Sequence, residues 1–137
     1  MRAALFVIAF AFLFTAACGG DGSQVGGASY KIATASARSD LMNLASADGI
    51  LQGQINGDGT ACFWLGTSSG GQALSWPYGY SARGNPLAVY DDTGNRVAAV
   101  GQRVTLTGGL MSDNVHSITG CSGFTEFFGV GQFDSAT

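Results

Sequence analysis

The chain has 137 residues, of which 22 are glycine and only 11% are charged, with nine acidic side chains against six basic ones. That length suffices for one domain with a real core. The mild acidic balance, with no basic cluster, argues against a nucleic-acid partner, whose phosphates demand cationic contacts, and against an electrostatic grip on anionic lipid.

The first residues point to a compartment. Met1-Arg2 supplies a short positive start, residues 3–14 are apolar and uncharged, and Thr15-Ala16-Ala17 places small residues before Cys18. This order predicts a secretory signal peptide over residues 1–17, too short to span a bilayer comfortably. Leu13-Phe14-Thr15-Ala16-Ala17-Cys18 resembles the lipobox of bacterial lipoproteins, with Thr15 where that motif favours leucine. The resemblance implies diacylglycerol transfer to the Cys18 thiol, cleavage after Ala17 and acylation of the new amino group. The expected location is extracytoplasmic, on a bacterial membrane, held by acyl chains worth ~0.8 kcal/mol per buried methylene. Removal of residues 1–17 takes Arg2 away and leaves Lys31, Arg38, Arg83, Arg96 and Arg103 against the nine acids.

Residues 18–38 read as a flexible tether, because Gly19-Gly20-Asp21-Gly22-Ser23 and Gly26-Gly27-Ala28-Ser29 lack apolar periodicity. Tyr30 and Ile32 are the first side chains able to touch a domain, which is expected over residues 39–137. Residues 39–45 suit either a capped helical turn or an extended lead-in. From Gly49 the pattern is β. Residues 50–55 alternate imperfectly, with Gly53 suggesting a bulge. Asn56-Gly57-Asp58-Gly59 is a hairpin turn, and Thr60-Ala61-Cys62-Phe63-Trp64-Leu65-Gly66 is an apolar run short enough to be a buried strand. Residues 72–76 form a third strand, stopped by Pro77, and residues 78–85 a loop. Strands then follow at residues 87–90, 96–100 and 104–107, with a turn at residues 91–95 and a last strand at residues 124–133.

Six or seven short strands between turns, with no long helical pattern, predict an all-β domain, and small size favours a barrel over a sandwich. The arrangement resembles a five-stranded OB-type barrel. Cys62-Phe63-Trp64-Leu65, Trp76-Pro77-Tyr78-Gly79 and Gly101 also resemble a pattern in small actinobacterial-type lipoproteins, over residues 49–123. That resemblance implies a lipid-anchored barrel and brings no activity. With Cys18 taken by lipid, Cys62 and Cys121 remain as an even pair in an oxidising compartment, so a disulfide is expected, two reduced buried cysteines being the alternative.

Chemistry-bearing residues are sparse. Gly66-Thr67-Ser68-Ser69-Gly70 has the letters of a nucleophile elbow, yet strand rather than helix follows it. Asp91, Asp92 and Asp113 precede the single His116, so a small secreted hydrolase using Ser68 or Glu126 with His116 is formally available. Met111 near His116 hints at a soft metal, and Asp91, Asp92 and Asn95 at calcium, but their spacing is ordinary turn chemistry. No cofactor and no metal are expected. Trp76-Pro77-Tyr78-Gly79-Tyr80 is the best ligand-binding candidate, a possible stacking platform for sugar faces. Alternation puts Leu74 and Trp76 inward and Ala73 and Ser75 outward. Tyr78 and Tyr80, beyond the proline, should then be partly exposed. The leading expectation is a lipid-anchored, non-catalytic envelope domain that binds or scaffolds an envelope protein or glycan. The alternative is a carbohydrate-binding accessory module using residues 76–80.

Overall fold

A computed structural model describes residues 27–36, 45–67, 70–111 and 117–137. The expected signal peptide, Cys18, the helical turn considered near Ser39, Ser68 and His116 all lie outside the described residues. Nine strands and no helix occur among the described residues: β1 (Ser29–Tyr30), β2 (Ala45–Ile55), β3 (Ala61–Thr67), β4 (Gly70–Ser75), β5 (Ser81–Arg83), β6 (Ala88–Tyr90), β7 (Arg96–Ala99), β8 (Arg103–Leu110) and β9 (Glu126–Ala136). The sequence reading foresaw six or seven. β5 falls inside the expected loop at residues 78–85, and β1 inside the expected tether.

Five strands close a barrel in the order β2-β3-β4-β9-β8, with β8 returning to β2. β4 and β9 are parallel and the other four pairings antiparallel. This is the OB-like barrel expected. A second sheet, β1-β5-β6-β7, lies in the chain between β4 and β8, apart from β1. Its Ala82, Val89 and Ala98 join the same buried cluster as the barrel side chains Phe63, Leu74 and Trp76.

Period-two alternation decides what fills the barrel. Ala61, Phe63 and Leu65 point inward from β3, Leu74 from β4, Val104 and Leu106 from β8, and Phe128 and Val130 from β9. Trp76, directly after β4, continues the Leu74 column. Gly53 makes no bulge, since β2 and β3 pair without a register shift from Leu51 to Ile55. It is instead a close approach: a Cβ there would lie 2.9 Å from Val100 Cγ2 and 3.0 Å from the Phe63 ring. The bulges sit between β8 and β9, at Thr105/Leu106 and Thr107/Gly108. A Cβ on Gly108 would lie 1.9 Å from the Gly129 carbonyl oxygen, so only glycine fits that barrel corner.

Residues 27–36 are not tether. Lys31 bridges to Thr60 and Thr34 to Trp76, and Ile32 and Ala33 are buried. The Trp76 N–H donates to the Ala33 carbonyl at 2.8 Å, and the Ala35 N–H to the Trp76 carbonyl at 2.9 Å. This segment therefore crosses the end of the barrel where β3 begins and β4 finishes.

Aspartates close two of the turns. Asp58 Oδ1 accepts from the Thr60 hydroxyl at 2.6 Å and the Thr60 N–H at 3.0 Å. Asp91 Oδ1 accepts from the Thr93 hydroxyl and the Thr93 and Asn95 N–H groups, and Oδ2 from Asn95 Nδ2. The Asp91 carboxylate is thus occupied in holding its own turn. The Thr93 hydroxyl first, and the Asn95 N–H next, hold its pKa below the ordinary carboxylate value, and Thr60 does the same for Asp58. A depressed carboxylate adds stability above its unfolded pKa of about 3.9, and that stability is lost as pH falls through the folded value. Thermal melts should therefore show stability dropping in acid below about pH 4. Asp91→Asn, which keeps the acceptor but cannot titrate, should flatten part of that drop; an unchanged profile would remove Asp91 from it.

Candidate functional site

One end of the barrel is sealed. Trp76, 1% exposed, sits there edge-on to Phe63 with ring centroids 6.0 Å apart, and Tyr80 stacks on its other side at 6.2 Å. Ile32 and the second sheet complete the closure. Trp76 was a ligand-binding candidate; the structure places it in the core, because the inward column of β4 runs directly into it. Tyr80 is half-buried by the stack. Burial, and then the charges of Asp91 and Asp92, push its phenol pKa up, so it remains a protonated donor. Tyr78, 50% exposed, is the one ring of the three that solvent reaches freely. The expected platform of three rings reduces to a single open tyrosine.

The outer face of β3, β4 and β9 is also covered. In OB-type barrels the second and third barrel strands carry the face that binds oligonucleotides and oligosaccharides. Here those strands are β3 and β4. Their outward Cys62, Trp64 and Ala73, with Phe127 of β9, form a second buried cluster. Met111, Ile118 and Phe124, from the connection between β8 and β9, pack over it. The expected disulfide is present: Cys62 and Cys121 are bonded, with Cα atoms 5.0 Å apart. Asn56 Nδ2 donates to the Gly120 carbonyl at 2.7 Å and ties the same connection to the β2–β3 turn. Ala73 and Ser75 do point outward, but both are buried rather than wet. The apolar run at residues 61–65 carried this signal, since a strand with no polar face implies cover on both sides.

Among the described residues nothing comparable covers the opposite end. It is built from the starts of β2, β4 and β9 and the ends of β3 and β8, and holds a cavity of about 420 Å³. Small residues make the space: Ala45, Ala47 and Gly49 occupy the inward column of β2 at this end, where Leu51 fills it deeper down. Leu65 and Phe128 form the floor. The inward columns end in polar groups, Gln72 above Leu74 on β4 and Glu126 above Phe128 on β9, and these two are cross-strand partners. Leu110, 68% exposed, stands on the rim opposite Phe128. Asp48 also belongs to the lining, and its carboxylate pairs with Arg103 and accepts from the Thr105 hydroxyl at 3.1 Å. Its charge is thereby offset. Among the described residues no cluster of three metal-ligating side chains occurs.

Neither Glu126 nor this cavity was singled out as a binding site from sequence. The legible signal was present: an inward column of alanine and glycine facing columns that change from apolar to polar at their last residue. No family model, no curated protein and no solved structure matches this chain.

Proposed function

We propose that the protein is a lipid-anchored, non-catalytic domain of the bacterial envelope whose open barrel end binds a small, partly apolar molecule. The observation that carries this reading is the asymmetry of the barrel interior. Large side chains fill one end, and alanine and glycine leave the other hollow, with apolar floor and polar rim. A volume of about 420 Å³ lies in the range of small-molecule sites, roughly 300–1,000 Å³. The usual OB-type face is meanwhile covered by the chain itself.

The lipid anchor rests on the residues before Cys18 and fits this arrangement. Gly27, the first described residue, lies beside Gly84 in the turn after β5. The described chain therefore begins on the side of the second sheet, at the end of the barrel away from the mouth. Cys18→Ser should move the protein from the membrane pellet to the soluble fraction, and retention in the pellet would count against the anchor. For the mouth, Ala47→Phe places a ring in the cavity. Benzyl alcohol should show saturation transfer from the full-length protein in phospholipid nanodiscs above that from empty discs, and the Ala47→Phe protein should lose the difference while melting normally. Equal transfer in both proteins would sink the mouth as the site.

The exposure of Tyr78 favours a second reading, glycan contact through residues 76–80. It has one open ring to offer, and Tyr78→Ala should abolish any such binding without loss of fold.

A further inference from the structure

We propose that the mouth selects an amphiphile with a cationic head, an ammonium at Glu126 and an apolar body against Leu110, Ala45 and Ala47. The inference rests on the reading of the mouth as the ligand site and adds the chemistry of the occupant.

Three observations carry it. The first is the position of Glu126. It heads the inward column that continues through Phe128 and Val130, so its carboxylate stands at the edge of the cavity, directly above the apolar floor. Among the described residues the side chain has no hydrogen-bond or ion-pair partner, in contrast to Asp58 and Asp91, whose carboxylates are consumed by their own turns. The second is charge. Among the described residues of the lining there is no lysine or arginine. Asp48, the other acid near the rim, is matched by Arg103. Among the described residues the lining therefore presents one unmatched carboxylate, which repels an anionic head and attracts a cationic one. Low-dielectric walls of the barrel strengthen that preference over its value in open water.

The third observation separates a cation from a sugar. Gln72 beside Glu126 could also hydrogen-bond hydroxyl groups, but sugar recognition wants an open ring face. The aromatic of the mouth, Phe128, is 1% exposed and serves as floor. What the rim exposes instead is Leu110, a surface for alkyl or aryl carbon. An apolar body with a single positive charge uses both features together.

The test compares three water-soluble probes that share a phenyl body and differ in the head: benzyltrimethylammonium, benzenesulfonate and phenyl β-glucoside. Each is titrated by calorimetry into the full-length protein in phospholipid nanodiscs, with empty discs subtracted. Benzyltrimethylammonium should bind at least tenfold more tightly than benzenesulfonate and more tightly than the glucoside. Glu126→Gln should bring the cation and sulfonate affinities to within a few-fold of each other at an unchanged melting temperature, and Ala47→Phe should remove binding of all three. Sulfonate or glucoside binding as tight as the cation, lost in Ala47→Phe, overturns the cationic proposal and leaves the mouth as a site. Cation binding unaffected by Glu126→Gln also overturns it. Failure of all three probes to bind overturns both the proposal and the reading beneath it.

Discussion

Trp76→Ala should lower stability by about 3–5 kcal/mol, the range for removing a buried large aromatic from a well-packed core. The indole is the largest fully buried side chain described. It contacts Phe63 edge-on and Tyr80 face-on, and the backbone at Trp76 holds residues 33–35 in place through two hydrogen bonds. Its loss would leave a cavity where barrel, second sheet and N-terminal segment meet, so none of the three can collapse to fill it without moving the others. One detail sharpens the test. The indole Nε1 is buried without a protein hydrogen-bond partner, and an unpaired buried donor costs roughly 1–3 kcal/mol. Trp76→Phe removes that donor while keeping most of the ring. It should therefore cost clearly less than Trp76→Ala, and chemical denaturation of the two variants measures the difference. Equal costs would show that removing the donor brings no relief and that the retained ring recovers none of the lost packing.

The same residue shows how far alternation can be read from sequence. Leu74 and Trp76 were placed inward because one buried position fixes every second residue of a strand, and both lie in the barrel core. The strands expected at residues 60–66 and 104–107 were legible for the same reason, and the second runs on to Leu110. What alternation could not say was whether an outward face is wet. Ala73 and Ser75 were expected to meet solvent, yet a segment more than 40 residues later, around Cys121 and Phe124, covers that side. The pairing of Cys62 with Cys121 was legible from cysteine arithmetic, and its consequence was already implied: a bridge from an outward strand position must bring its partner's chain across that face. β1 was missed because Gly27, Ala28 and Ser29 carry no strand signal of their own. Their pairing with β5 comes from tertiary contact, Ser29 with Arg83 and Tyr30 with Ala82. The mouth was missed because a cavity is made by what side chains lack, and Ala45, Ala47 and Gly49 look unremarkable until the columns opposite them are known.

Cys62→Ala with Cys121→Ala should cost about 2–5 kcal/mol, and the two tryptophans should report the loss differently. The bridge spans 59 residues of sequence, for which the chain-entropy account gives on the order of 4 kcal/mol through the unfolded state. Inside that loop lie most of β3 and all of β4 to β8, so three of the five barrel strands and three of the four strands of the second sheet are released in the unfolded chain when the bridge is gone. In the folded protein the effect should be local. The connection between β8 and β9 would keep its apolar contacts and the Asn56 hydrogen bond to Gly120, but lose its one covalent tie to the barrel wall. Trp64 lies under that cover, 5.5 Å from the Phe124 ring, whereas Trp76 lies at the sealed end of the barrel. With Trp76→Phe as background, Trp64 is the sole indole, and its emission should shift to the red in the bridge-free protein as the cover loosens. Trp76, watched alone in a Trp64→Phe background, should keep its buried emission until global unfolding. A red shift of Trp76 at the same denaturant concentration as Trp64 would mean that the covered face and the barrel core open as one unit. An unshifted Trp64, with stability unchanged, would mean that packing alone holds the connection across β3 and β4.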